Sequence, residues 1–159
     1  MDTNHLALLE TDIAAQRVTI DRVFAMLVQR SQHLSPENLE KLESVAYQLH
    51  NFYGSVEELL KVVAASFENN VSDASQWHSL LLKRMMQSVP GVRPALLSME
   101  SYDLLNSLRA FRHFFRHAYG VPLDFLQLQS NLNKAMQVKP QLDQDVDRFL
   151  QVLRSLEPT

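Results

Sequence analysis

Cysteine is absent from this 159-residue chain, which excludes a disulfide framework and any thiolate metal site. Glycine occurs three times and proline six times, too few turn formers for a strand-rich fold and in keeping with long helices. No apolar run approaches the roughly 18 residues of a membrane-spanning helix, and Met1-Asp2-Thr3-Asn4-His5 lacks the basic start and apolar stretch of a secretory leader. No membrane association is expected, and the lack of cysteine fits a reducing, cytoplasmic setting. Basic charge is also short: 15 Lys and Arg against 18 Asp and Glu give a net charge of −3. That argues against nucleic-acid binding over the whole surface, so an RNA ligand would have to be held where the basic residues concentrate.

What the chain does have is helical periodicity. A length of 159 residues suits one domain, taken as 1–159, able to bury a core without staples. Residues 3–31 place Leu6, Leu9, Ile13, Ile20, Val23 and Leu27 at gaps of three, four and seven, with Asp2 or Thr3 as N-cap. A second helix is expected from Ser35-Pro36-Glu37, with proline at its first turn, to Phe67. Leu42, Leu49, Val56 and Val63 form one of its heptad rows, and Val45, Phe52 and Leu59 the other. Gly54 inside it predicts close packing against a neighbour. A turn-rich segment with Ser72, Asp73 or Ser75 as cap leads to a shorter helix over 76–89. Residues 94–97 suggest a helical turn, 100–119 a fourth helix ended by Gly120 and Pro122, and 122–137 and 141–156 two more, separated at Lys139-Pro140. No strand pattern, repeat or low-complexity linker is visible. The expected fold is all-α: an up-and-down bundle of four main helices plus short ones.

One stretch departs from the acidic background. Residues 109–120 hold three arginines, two histidines, three phenylalanines and a tyrosine, and no acidic residue lies between Leu104 and Gly120. At about 100° per residue, Tyr119, Arg112, Arg116, Arg109, His113 and His117 share one arc of the helix. Leu108, Phe111, Phe114, Phe115 and Ala118 take the opposite, core-facing arc. Such a cationic face attracts phosphate. It carries imidazoles and a phenol in place of interchangeable lysines, which separates it from a solvated basic face.

Arg112-His113-x-x-x-His117-x-Tyr119 resembles the R-x4-H-x-Y signature of HEPN ribonuclease toxins of the HepT type. The stretch Tyr47-x-x-His50-x-Phe52-Tyr53-Gly54-x-Val56-Glu57 resembles that family's second helix, and Trp77-His78-x-x-Leu81-Leu82-x-x-Met85 the short helix after it. The likeness covers most of residues 40–135. It implies a homodimer in which two motif helices form a composite cleft, and metal-independent cleavage of messenger or transfer RNA without a cofactor. In that scheme His117 is the general acid/base, Arg112 binds the scissile phosphate and His113 orients the site, while Arg116 and Arg109 either hold the RNA backbone or are plain solvated charges. It also implies a type VII-like toxin–antitoxin pair, in which an MntA-type nucleotidyltransferase antitoxin adds AMP to Tyr119 (AMPylation) and so neutralises the toxin.

Other readings of the same residues stay open. His113 and His117 stand i, i+4 and have the spacing of a metal pair, yet no HExxH pattern or nearby carboxylate accompanies them and three arginines would repel a cation, so no metal is expected. A non-catalytic HEPN-like module binding RNA or a nucleotide, or a bundle docking an acidic protein, would use the same face. His5, His33, His50 and His78 are expected to be structural or exposed, and Tyr47, Phe52, Tyr53 and Trp77 to be core. Glu57 or Glu58 is placed either in an ion pair with the motif helix or in solvent.

Overall fold

The fold was obtained as a computed structural model, which describes residues 1–68, 77–117, 120 and 122–156. Helix α1 spans Thr3–Arg30, α2 Leu39–Phe67, α3 Trp77–Met86, α4 Met99–His117 and α5 Phe125–Ser155. Four long helices and one short helix thus make an all-α, HEPN-like bundle. The described residues contain no strand, only an isolated bridge between Val89 and Arg93, closed around Gly91 at φ +76°.

The periodic rows fold as their spacing dictates. Leu6, Leu9, Ile13, Ile20 and Leu27 are buried along α1, and both heptad rows of α2 are buried in full. These two helices pack along one another, α5 lies against α1, α2 and α4, and α3 bridges α2 and α4. Phe52, Tyr53, Phe149 and Leu81 are among the largest side chains in the shared core. Asp2 caps α1 by accepting from the His5 N–H at 2.7 Å.

Several boundaries differ from the sequence expectation. Helix α2 starts at Leu39 with Asn38 as N-cap, accepting from the Lys41 N–H, so Ser35-Pro36-Glu37 forms a turn ahead of it. Residues 94–97 are not helical; instead the N–H groups of Leu96 and Leu97 both donate to the Met85 carbonyl at 2.9 Å, pinning this segment to the end of α3. The caps proposed at Ser72, Asp73 and Ser75 lie outside the described residues. Gly54 has no close neighbour, since an added Cβ would meet nothing within 4 Å. Tyr47 is exposed, whereas Phe52, Tyr53 and Trp77 are core.

The largest difference is α5, one helix where two were expected. Pro140 sits inside it on the solvent side. An interior proline costs about 3 kcal/mol through its missing N–H and its ring. The row Leu128, Leu132, Ala135, Val138, Leu142, Val146, Phe149 and Leu153 passes it in helical phase, however, and is buried throughout. Each fully buried Val, Leu or Phe contributes about 1.5–3 kcal/mol, so the packing of both halves outweighs the break.

The start of α4 is fixed to α5. Ser98 caps it by accepting from the Ser101 N–H, and the Ser98 N–H and hydroxyl both donate to buried Asp145 of α5 at 3.0 Å. Arg148 of α5 adds a bond to the Leu96 carbonyl. The helix bearing the cationic stretch is therefore anchored at its N-terminus, and its basic residues ride on its far end.

Candidate functional site

Leu105, Leu108 and Phe111 seat α4 in the core, with Phe115 half-buried beyond them. Phe115 stacks on Phe111 with ring centroids 6.3 Å apart. Phe114, assigned to the core arc, is 40% exposed. The buried arc centres between Phe111 and Leu108, which puts Phe114 about a quarter-turn away. The core face is thus narrower than the sequence suggested, and Ala118 lies outside the described residues.

The opposite face forms one wall of a groove of about 330 Å³, lined by Arg109, Arg112, His113, Arg116 and His117. Every described residue picked out from the motif is therefore brought to the same cavity. Tyr119, the sixth, lies outside the described residues. The His113 and His117 rings are 4.6 Å apart between centroids and tilted by 54°. Arg109 donates through Nε to Asn106 Oδ1, which steadies its stem while leaving the rest of its guanidinium without a partner among the described residues.

Arg112 is the most constrained of the cations. It is half-buried, its guanidinium carbon lies 5.9 Å from the centroid of the Tyr53 ring, and its buried Nε has no hydrogen-bond partner among the described residues. Its position on the helix directs it across the seam between α4 and α2. The Tyr53 hydroxyl is buried and likewise lacks a partner within hydrogen-bond geometry among the described residues, although the Glu57 carboxylate is near enough to act on it. Burial, and then Glu57, push the phenol far above its ordinary value, so Tyr53 stays neutral. Its ring face is an electrostatic seat for Arg112.

Behind the groove, His50 of α2 packs on Phe115 at 6.0 Å between ring centroids. Burial, then the positive charges of Arg112 and Arg116, lower its affinity for a proton. His50 does not line the groove.

The second wall comes from α3, where sequence reasoning had placed no site residue: His78 and Ser79 line the same groove. His78 is held by Glu57 of α2, whose two carboxylate oxygens lie 2.8 and 2.9 Å from His78 Nδ1. Glu57 is buried with its side chain 4% exposed, and Lys61 stands 3.9 Å from it. Neither acid of the Glu57-Glu58 pair forms an ion pair with the motif helix: Glu58 pairs with Lys61, and Glu57 serves α3. The available signal was Glu57 itself, an acid embedded in the apolar rows of α2 beside Val56. Its partner stands 21 residues away on another helix, beyond the reach of local periodicity.

Chemically, the groove offers permanent cations to hold a phosphate and imidazoles able to give and take protons. Among the described residues no group of three or more His, Cys, Asp or Glu side chains is gathered as a metal site requires. Nor is any described helix long and apolar enough to cross a membrane. Neither a curated protein nor a solved structure matches the chain. The family model described as HepT-like protein matches residues 44–153, more than half of the chain and a span that contains every residue of the groove, and the chain belongs to that family.

Proposed function

We propose that this chain is a metal-independent endoribonuclease, the toxin of a type VII-like toxin–antitoxin pair, acting on messenger or transfer RNA as a homodimer. The observation that carries the reading is the convergence of Arg109, Arg112, His113, Arg116 and His117 on one groove, on a helix without acidic residues between Leu104 and Gly120. Against a net charge of −3 over the whole chain, this groove is the place where phosphate is concentrated. Membership of the HepT-like family supports the same conclusion.

RNA carries its own nucleophile in the 2′-OH, so cleavage requires only proton transfer and stabilisation of charge on the phosphate. Arg112, positioned by Tyr53, binds the scissile phosphate and stabilises the transition state. His117 acts as general acid/base, His113 orients it across the 4.6 Å contact, and Arg116 and Arg109 hold the flanking backbone. Dimerisation places two such helices along a composite cleft. The products are a 2′,3′-cyclic phosphate, or the 3′-phosphate derived from it, and a 5′-OH. Control comes from an MntA-type nucleotidyltransferase that transfers AMP from ATP to Tyr119. The added bulk and negative charge then compete with RNA phosphate for the arginines.

The test is cleavage of a labelled RNA in EDTA by wild type and His117→Ala, with end-group analysis. Cutting that survives EDTA, yields cyclic phosphate and falls by about 10² to 10⁴ in the variant supports the reading. Retained cutting in His117→Ala, or loss in EDTA, overturns the mechanism. Binding of RNA without cutting by a verified dimer free of AMP identifies a non-catalytic module instead. Mass spectrometry after co-expression with the nucleotidyltransferase locates the AMP, and AMP on another residue, or on none, rejects Tyr119.

A further inference from the structure

We propose that His78, oriented by Glu57, is the general base that takes the proton from the RNA 2′-OH, leaving His117 as the acid that protonates the departing 5′ oxygen. This rests on the ribonuclease reading and assigns its second proton-transfer group.

In-line cleavage of RNA moves two protons at two places. The 2′-OH loses one as the P–O2′ bond forms, and the 5′ oxygen gains one as the P–O5′ bond breaks. Two groups on opposite sides of the phosphate perform this without waiting for one imidazole to change its protonation state. The groove has imidazoles on both walls: His113 and His117 on α4, and His78 on α3.

The contacts of His78 are those of a base. A carboxylate can only accept hydrogen bonds, so Glu57 fixes the hydrogen on Nδ1 and leaves the Nε2 lone pair without a partner among the described residues, on a ring that lines the cavity. The His78 side chain is 40% exposed, while Glu57 is 4% exposed. Burying a carboxylate is costly, and a pair serving packing alone would gain nothing by leaving its imidazole open to the groove. Facing His78 are Glu57 and, behind it, Lys61 from α2, together with the three arginines and two histidines of the α4 wall. Glu57 supplies the negative charge that supports the imidazolium once it forms. After the step, His78 holds the 2′ proton on Nε2 and His117 has given one proton to the 5′ oxygen, so the balance closes.

The experiment compares wild type, His78→Ala, His117→Ala and Glu57→Gln on normal RNA and on RNA with a single bridging 5′-sulfur at the scissile position. A thiolate departs without protonation, since thiols are far stronger acids than alcohols. The expected result is that sulfur restores His117→Ala to within a few-fold of wild type and leaves His78→Ala slow by at least about a hundredfold. Added imidazole then recovers part of the His78→Ala rate. Glu57→Gln, a change in a positioning residue, lowers kcat with little effect on KM and moves the acidic limb of the pH profile. Nitrogen-15 NMR of wild type gives an independent readout, with neutral His78 expected as the Nδ1–H tautomer. Wild-type activity retained in His78→Ala, sulfur rescue of His78→Ala in place of His117→Ala, or an Nε2–H tautomer overturns the assignment while leaving the ribonuclease reading intact. Failure of wild type to cut either substrate overturns both.

Discussion

Arg112 rests with its guanidinium carbon 5.9 Å from the centre of the Tyr53 ring, and both residues carry a buried polar atom without a hydrogen-bond partner among the described residues, Arg112 Nε and the Tyr53 hydroxyl. The ring therefore positions the cation by its face. Tyr53→Phe keeps that face and removes the unpartnered hydroxyl, so cleavage should stay within about twofold and stability should hold or rise, since an unsatisfied buried polar group costs about 1–3 kcal/mol. Tyr53→Leu removes the face. A half-desolvated cation–π contact of about 1 kcal/mol corresponds to a roughly fivefold loss in kcat/KM. Steady-state kinetics of the two variants, with thermal melts as control, separate ring from hydroxyl. Equal losses in both would show that the hydroxyl matters after all.

His50 makes stability depend on pH in a definite direction. Its proton affinity is lowered in the folded chain by burial and then by Arg112 and Arg116, so the unfolded chain takes up a proton first as the medium is acidified. Its contribution is fully present above the ordinary histidine value near 6.5 and is lost as pH falls from there toward the lower folded value. Thermal melts between pH 7.5 and about 5.5 should therefore decline on the acid side, above the range in which most carboxylates titrate. His50→Gln, which does not ionise, should decline less. Parallel curves for the two proteins would place the dependence elsewhere.

The helices carrying the core and the cationic wall were legible because both rest on local spacing. The α2 rows through Leu42, Val45, Leu49 and Phe52 are buried as their heptad gaps require, and Arg109, Arg112, His113, Arg116 and His117 share a groove because a single helix fixes their relative angles. What escaped was set by contacts between helices. Phe114 is apolar yet exposed because the arc that α4 buries is set by how α2, α3 and α5 close on it. The Glu57–His78 pair crosses from α2 to α3, and nothing in the spacing of either segment announces it. A proline read locally as a boundary became an interior residue once both flanking rows were buried in phase.

Arg93 shows how such inter-helix contacts bear on stability. Its side chain is 0% exposed, yet the guanidinium donates to the carbonyls of Gln87, Pro94 and Arg84 and to Glu68 Oε1 at 2.8 Å. Glu68 also accepts from Arg84 at 2.6 Å. The bond from Arg84 holds its carboxyl below the usual range; burial opposes this, and the bond and charge of Arg93 and the charge of Arg84 add to the lowering. Glu68→Ala leaves a buried guanidinium without its anion, and removing one partner of such a pair costs about 3–5 kcal/mol. A fall in melting temperature on the order of 6–20 °C is expected, at about 2–4 °C per kcal/mol for a chain of this size. Because the lowered carboxyl stabilises only while ionised, the difference between wild type and Glu68→Ala should shrink as pH falls below about 4. A fall under 2 °C at neutral pH would mean that the carbonyls alone satisfy Arg93.

Pro140 offers a substitution expected to stabilise. It is exposed and inside α5, so the Met136 carbonyl, one turn earlier, is denied its usual N–H. The flanking rows remain buried, with Val138 before it and Leu142 after it. Alanine at this site restores the donor and relieves the ring, against a helix penalty for proline of about 3 kcal/mol. Proline returns part of that by restricting the unfolded chain, an effect of about 0.4–1 kcal/mol. Pro140→Ala should therefore raise stability by roughly 2–2.6 kcal/mol, read as a higher midpoint in urea with the slope unchanged. Cleavage should be unaffected, because Pro140 lines none of the groove. A lower midpoint would show that α5 needs the bend proline imposes to lay both Leu132 and Phe149 in the core. The proline would then be a shaping residue of the bundle rather than a tolerated break.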